Sequence, residues 1–225
     1  MSVHRLVLGF APFTLIIALA TAAFWPALFH GASLVDADAL VFSIPLQDAL
    51  VKFLQGDQSL LWSNMWSGGY PAFAEGQGAF AHPLNWIAAA LTDGRTGFNI
   101  LQWVYVIVAA YGTYYLCRKT GLSRGSSLFA ALAVAFSQLW LKDHRNGAVS
   151  GTIALVPWAI CAMQNWLSKP DAKAAVRFGV VLCLMILSGY PPIVHGAIVY
   201  FFVFIAVSAV FGSERRRYQA QFGTY

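Results

Sequence analysis

The chain has 225 residues, 59% of them hydrophobic and only 10% charged, and its mean hydropathy is +0.63. Soluble domains carry about 25% charged residues, and disorder needs low hydrophobicity with high charge, so both classes are excluded. There is no Gly-X-Y period, and the three cysteines (Cys117, Cys161, Cys183) are scattered in or beside apolar runs. That pattern gives neither a disulfide framework nor metal-ligand spacing. The net charge of +5 comes from basic residues in short clusters between apolar runs, so the expected partner is a lipid bilayer and not nucleic acid. The composition points to an all-α polytopic membrane protein.

In chain order, the first apolar run is Leu6 to Leu28. It has small-residue sequences resembling signal-peptide cleavage sites at Ala18-Leu19-Ala20 and Ala20-Thr21-Ala22. Its length and its continuation through Phe24-Trp25-Pro26-Ala27-Leu28 favour an uncleaved membrane helix. Residues 29–97 form a large first loop. Within it Pro45–Gly56 reads as an amphipathic helix, with Leu46, Leu50, Phe53 and Leu54 on one face and an Asp48–Lys52 pair at i,i+4. A Trp/Gly-rich stretch, Leu61 to Pro71, follows. Pro83–Leu91 is apolar but too short to span, and reads as an interfacial or re-entrant helix.

Five more spans are expected at Phe98–Cys117, Ser126–Leu141, Ala148–Leu167, Ala172–Ser188 and Pro192–Phe211. The last two meet at Gly189-Tyr190-Pro191-Pro192, which reads either as a kink in one helix or as a turn between two. Six spans with a cytoplasmic N-terminus put Arg5, Arg118, Lys119, Arg124, Lys169, Lys173, Arg177 and Arg215-Arg216-Arg217 inside. Lys52, Arg95, Lys142 and Arg145 then fall outside with most of the acids, which is the positive-inside pattern. Five spans would put Arg215-Arg216-Arg217 outside. The expected location is the bacterial plasma membrane, with residues 1–225 as one transmembrane domain. No internal repeat is visible.

Four groups of residues have chemical potential. In extended chain, Asp36 and Asp38 point the same way. They suit a shared divalent cation or a general base, and equally a pair of solvated loop acids. Gly68, Gly69, Glu75, Gln77, His82 and Asn85 combine tight turns with hydrogen-bonding groups suited to sugar hydroxyls; the alternative is a compact loop packed under Trp62 and Trp66. Lys142, Asp143, His144 and Arg145, with Asn146 closing the loop at the outer end of the third span, suit a phosphate or pyrophosphate, or are an ordinary hydrophilic loop. His195 lies within the last span, as a functional group or as a neutral hydrogen-bonding one.

Taken in order, these pieces resemble the N-terminal part of the YfhO-type bacterial membrane proteins, within the GT-C-like superfamily of polyprenyl-phosphate-sugar-dependent glycosyltransferases. The resemblance rests on Asp38-Ala39-Leu40, Pro45-Leu46, Gly56, Leu61-Trp62, Gly68-Gly69-Tyr70-Pro71, Gln77 and Pro83-Leu84-Asn85. Thr120-Gly121-Leu122-Ser123, Val156-Pro157-Trp158 and Ser188-Gly189-Tyr190-Pro191 extend it, and Tyr190 stands where the family usually has His. The resemblance implies that Asp38, with Asp36 beside it, is the general base of an inverting sugar transfer on the outer face. The donor would be a polyprenyl-phosphate-linked sugar and the acceptor an envelope glycan or protein. Lys142, His144 or Arg145 would stabilise the leaving phosphate. It also implies that the chain is the N-terminal portion of a longer module. A transporter or flippase would place more charge deep in the spans, often in two repeats. A scaffold without chemistry would keep the fold alone.

Overall fold

The computed structural model describes residues 3–32, 38–64, 68–137 and 146–222. It is 80% helical, with no β-strand among the described residues. The helices are α1 (Val3–Phe29), α2 (Ile44–Gln55), α3 (Pro83–Leu91), α4 (Gly94–Lys119), α5 (Arg124–Ala135), α6 (Gly147–Ser168), α7 (Ala172–Leu187) and α8 (Pro191–Phe222). A single π-helical turn, Ala39–Ser43, leads into α2.

Local chemistry sets most of these boundaries. Asp93, Ser123, Asn146 and Asp171 each accept a backbone N–H of the first turn of α4, α5, α6 and α7, relieving donors that a helix start leaves unpaired. Arg118 and Lys119 lie in the last turn of α4, where the dipole favours cations. Helix α2 buries Leu46, Ala49, Leu50 and Val51, exposes Phe53 and Leu54, and carries the Asp48–Lys52 ion pair at 2.8 Å. It ends where Gly56 turns left-handed.

Four stretches are long and apolar enough to cross a membrane: Ala11–Phe29, Gly94–Lys119, Gly147–Ser168 and Pro191–Ala209. The other two expected spans fall on shorter helices. Helix α5 ends at Ala135 with Phe136 as its C-cap, and residues 138–145 lie outside the described residues. The 16 residues of α7 rise about 24 Å at 1.5 Å per residue, less than the roughly 30 Å hydrocarbon thickness. The stretch after Arg177 is two helices, not one kinked helix. Ser188 and Gly189 close α7 by donating to Leu184 and Ile186 carbonyls at 3.0 Å, and Gly189 then adopts φ +87.

Helix α4 is the central element and packs against α1, α2, α3, α5 and α6. It runs antiparallel to α1: Asn99 bonds the Ala27 carbonyl, Trp103 bonds Thr21, and Phe13 meets Tyr111. It runs parallel to α6. Gly147 lies beside Gln102, Gly151 beside Tyr105, Trp158 donates to the Val108 carbonyl, and Lys119 to the Cys161 carbonyl. Small residues make the approach close. A Cβ on Gly112 would stand 2.6 Å from Trp158 Nε1, and Ala109, Ala110, Ala131 and Ala154 share the core with Ile16, Tyr105 and Val106. Helix α7 returns antiparallel along α6, with Ser188 near Gly151 and Trp166 stacked on Phe178.

The bundle therefore has two unlike ends. One gathers the end of α1, the described residues between 38 and 92, the starts of α4 and α6, and the α7–α8 turn. Leu46, Leu50, Leu60, Ala72, Phe80 and Ala89 form a second core there. The other end carries Arg118, Lys119, Arg124, Lys169, Lys173 and Arg177, interrupted by Asp171.

Candidate functional site

At the loop end, Ser63 and Tyr70 exchange both backbone hydrogen bonds at 2.8 Å, and Phe73 N–H donates to the Leu60 carbonyl. Trp62 lies over Gly69, whose missing Cβ would sit 2.5 Å from the indole nitrogen. Two short 3-10 turns follow, Ala72–Ala74 and Gly76–Gly78, with Glu75 between them. The Glu75 carboxylate accepts the Gln77 backbone N–H at 3.3 Å.

His82 starts α3. Its Nδ1 accepts the Leu84 N–H at 3.3 Å, and Pro83 at the first helical position has no N–H to leave unpaired. The adjoining Asn85 is the hub of the segment. Its Nδ2 donates to the Gly78 and Ala79 carbonyls at 3.3 and 3.2 Å. Its Oδ1 accepts from the Tyr105 hydroxyl at 3.4 Å, and its backbone carbonyl accepts from Gln47 Nε2 at 3.2 Å. One buried residue thus ties the loop to α4 through its side-chain amide and to α2 through its backbone carbonyl.

Two further contacts fasten the loop to the bundle. Asn146 Nδ2 donates to Gln77 Oε1 at 2.9 Å, while Asn146 Oδ1 accepts the Ala148 and Val149 N–H groups that begin α6. The backbone of Gly189 lies directly on the Gly76 carbonyl, so that a Cβ there would fall onto the carbonyl oxygen. Ser43, Gln47, Gln77, Asn85, Tyr105 and Gly147 enclose about 20 Å³ between these parts, room for about one water molecule.

The electrostatics follow from burial. His82 is 3% exposed, and desolvation holds its pKa below the ordinary value of 6.5. Because Nδ1 accepts a hydrogen bond, the proton of the neutral ring sits on Nε2. Asp93 is shifted down by the Thr96 backbone N–H and then by the Thr96 hydroxyl. Burial, with the nearby Glu75 charge, pushes the Tyr70 phenol up.

The residues singled out in the sequence separate into three groups. Gln77, His82 and Asn85 come together, each hydrogen-bonded to the protein itself through Gln77 Oε1, His82 Nδ1 and both ends of the Asn85 amide. Asp38, Gly68 and Glu75 keep part or all of their surface accessible. Asp38 is exposed and directly precedes Ala39, which is fully buried in the π-helical turn. Asp36, the other half of the expected cation pair, and Lys142, Asp143, His144 and Arg145 lie outside the described residues. His195 Nδ1 donates to the Pro191 carbonyl one turn back, at 2.8 Å.

Gln47, Tyr105, Asn146 and the Gly76–Gly189 contact were not legible as site residues in the sequence. Nor were Asn99 and Gln102. Asn99 Nδ2 donates to both the Ala27 and Ala32 carbonyls, anchoring the end of α1. Gln102 is fully buried and its amide has no partner among the described residues. Their i,i+3 spacing inside an apolar run was the available signal, since polar residues one turn apart in a spanning helix face the bundle interior. The chain matches no protein-family model, no curated protein and no solved structure.

Proposed function

We propose that this chain is the N-terminal membrane unit of a GT-C-like transferase, which moves a sugar from a polyprenyl-phosphate donor to an envelope acceptor on the extracytoplasmic face. The carrying observation is the junction at the loop end. Segments far apart in sequence, around Gln77, Asn85, Asn146 and Gly189, fasten to one another there, and the exposed Asp38 leads through the π-helical turn into α2, whose Gln47 joins the same junction. A general base held on such a platform can meet an acceptor hydroxyl in a fixed direction.

In this reading Asp38 takes the proton from the acceptor hydroxyl as the oxygen attacks the anomeric carbon. The sugar–phosphate bond breaks on the opposite side, and the lipid phosphate leaves with the electron pair. Gln77, His82 and Asn85 shape the platform, while sugar contacts fall to Gly68 and Glu75 and phosphate contacts to Lys142, His144 and Arg145. Six crossings with a cytoplasmic N-terminus belong to the same proposal. Parallel α4 and α6 support it, because the chain between them must travel back along the whole bundle. The antiparallel α7 supports it in the same way.

The test is complementation of a gene-deleted host with wild type or Asp38→Asn at equal membrane abundance, read by mass spectrometry of envelope glycans. One sugar substituent is expected to vanish on deletion, return with wild type and fall at least about 100-fold with Asp38→Asn. A deletion strain with an unchanged glycan profile would overturn sugar transfer and favour a scaffold.

A further inference from the structure

At the opposite, basic end, α4 and α7 both pack on α6 and leave a cleft between them. The cleft encloses about 250 Å³, and its walls include Tyr115, Trp158, Asn165, Arg177 and Val181. Tyr115 and Trp158 stack with their ring planes 15° apart, making a flat apolar wall. Lys119 reaches the rim, donating to the carbonyl of Cys161, another wall residue, at 3.1 Å. Neither Lys119 nor Arg177 has a carboxylate partner among the described residues. Asp171, the N-cap of α7, accepts the Ala174 N–H and lies 4.0 Å from Lys169.

We infer that this cleft is a binding site for an anionic phospholipid. The charge pattern selects the occupant. One cation, Arg177, lines a hollow whose other walls are largely apolar, and a second, Lys119, is held at its rim by a wall carbonyl; a lipid offers both halves of that chemistry: a phosphate for Arg177 and Lys119, and an acyl chain for Tyr115, Trp158 and Val181. A planar guanidinium can hold phosphate through two parallel N–H bonds. Basic pockets between spanning helices near a membrane surface are suited to lipid headgroups. The inference requires only that the chain spans a bilayer, and it stands if the sugar-transfer reading fails.

Native mass spectrometry of the full chain, released from detergent after delipidation and re-addition of phosphatidylglycerol or phosphatidylcholine, tests it. Wild type is expected to retain one phosphatidylglycerol in preference to phosphatidylcholine. Arg177→Gln and Lys119→Gln should each weaken retention about fivefold, the effect of one cation near a phosphate. Val181→Trp should abolish retention by filling the cleft while leaving both cations, and Arg118→Gln, a cation at the same end whose guanidinium bonds the Leu122 carbonyl, should leave it unchanged. Equal retention of the two lipids by wild type would overturn the inference without any variant having to fold. So would full displacement of the lipid by equimolar glycerol phosphate, which would mark the site as one for a soluble phosphate.

Discussion

His82 caps α3 through a ring nitrogen that works only while it is unprotonated. Protonation would break the bond from Leu84 and put a charge into a buried site. Its pKa is therefore lower in the folded protein than in the unfolded chain, and the unfolded state takes up more protons as pH falls. Stability contributed by His82 is complete above about pH 6.5, the ordinary histidine value, and is lost as the pH drops from there toward the folded pKa. The apparent melting temperature in detergent should fall between pH 7 and pH 5 in wild type. The fall should be smaller in His82→Asn, since Asn caps a helix without titrating; parallel pH profiles would overturn this account. Gly189 makes a second residue-scale prediction. Gly189→Ala should destabilise by about 1–2 kcal/mol from its left-handed backbone alone, and further by collision with Gly76, lowering the melting temperature without changing membrane insertion. His-Pro-Leu-Asn reads in sequence as hydrogen-bonding groups before a short helix. That these groups turn inward was not legible, because the partners of Asn85 lie on α2 and α4, which no local spacing reveals.

Among the elements, α2 was the most legible. The Asp48–Lys52 pair and the stop at Gly56 act within one helix, and the sequence carries such local terms directly; its faces do not follow the reading throughout, because Phe53 and Leu54, expected beside Leu46 and Leu50, are exposed, while Gln47 is buried against Asn85. Helix α3 was legible from Pro83 and its apolar run. The docking of the 76–78 turn on α6 was not, since it depends on one hydrogen bond between Gln77 and Asn146. Asn146 read only as the last residue of a charged loop, whereas its side chain both starts α6 and holds the turn. A double-mutant cycle with Gln77→Ala and Asn146→Ala should give a coupling of about 0.5–1.5 kcal/mol by thermal unfolding. Strict additivity would show that the two side chains act independently. One span boundary moves because a polar anchor lies beyond the apolar run: α4 begins at Gly94, not Phe98, because Asp93 caps it.

For the whole molecule, composition alone was enough for the helical membrane class, because 10% charge cannot cover a soluble surface of this size. Pairing of the helices was not accessible that way, since apolar runs do not specify neighbours. The order of the ends predicts a labelling pattern. With Cys117, Cys161 and Cys183 replaced by Ala, Asp57→Cys should react with an impermeant maleimide in intact cells, and Ser168→Cys only after permeabilisation. Both positions labelling from one side would overturn the six-crossing arrangement. The Gly76–Gly189 contact has a consequence for biosynthesis. The segment that carries Gly76 leaves the ribosome long before the turn that seals it, so it must wait through the synthesis of α4, α5, α6 and α7 with its Gly76 carbonyl uncovered. Its completion is thus a long-range event in synthesis, and the α7–α8 turn acts as a clasp closed only once α7 has been made.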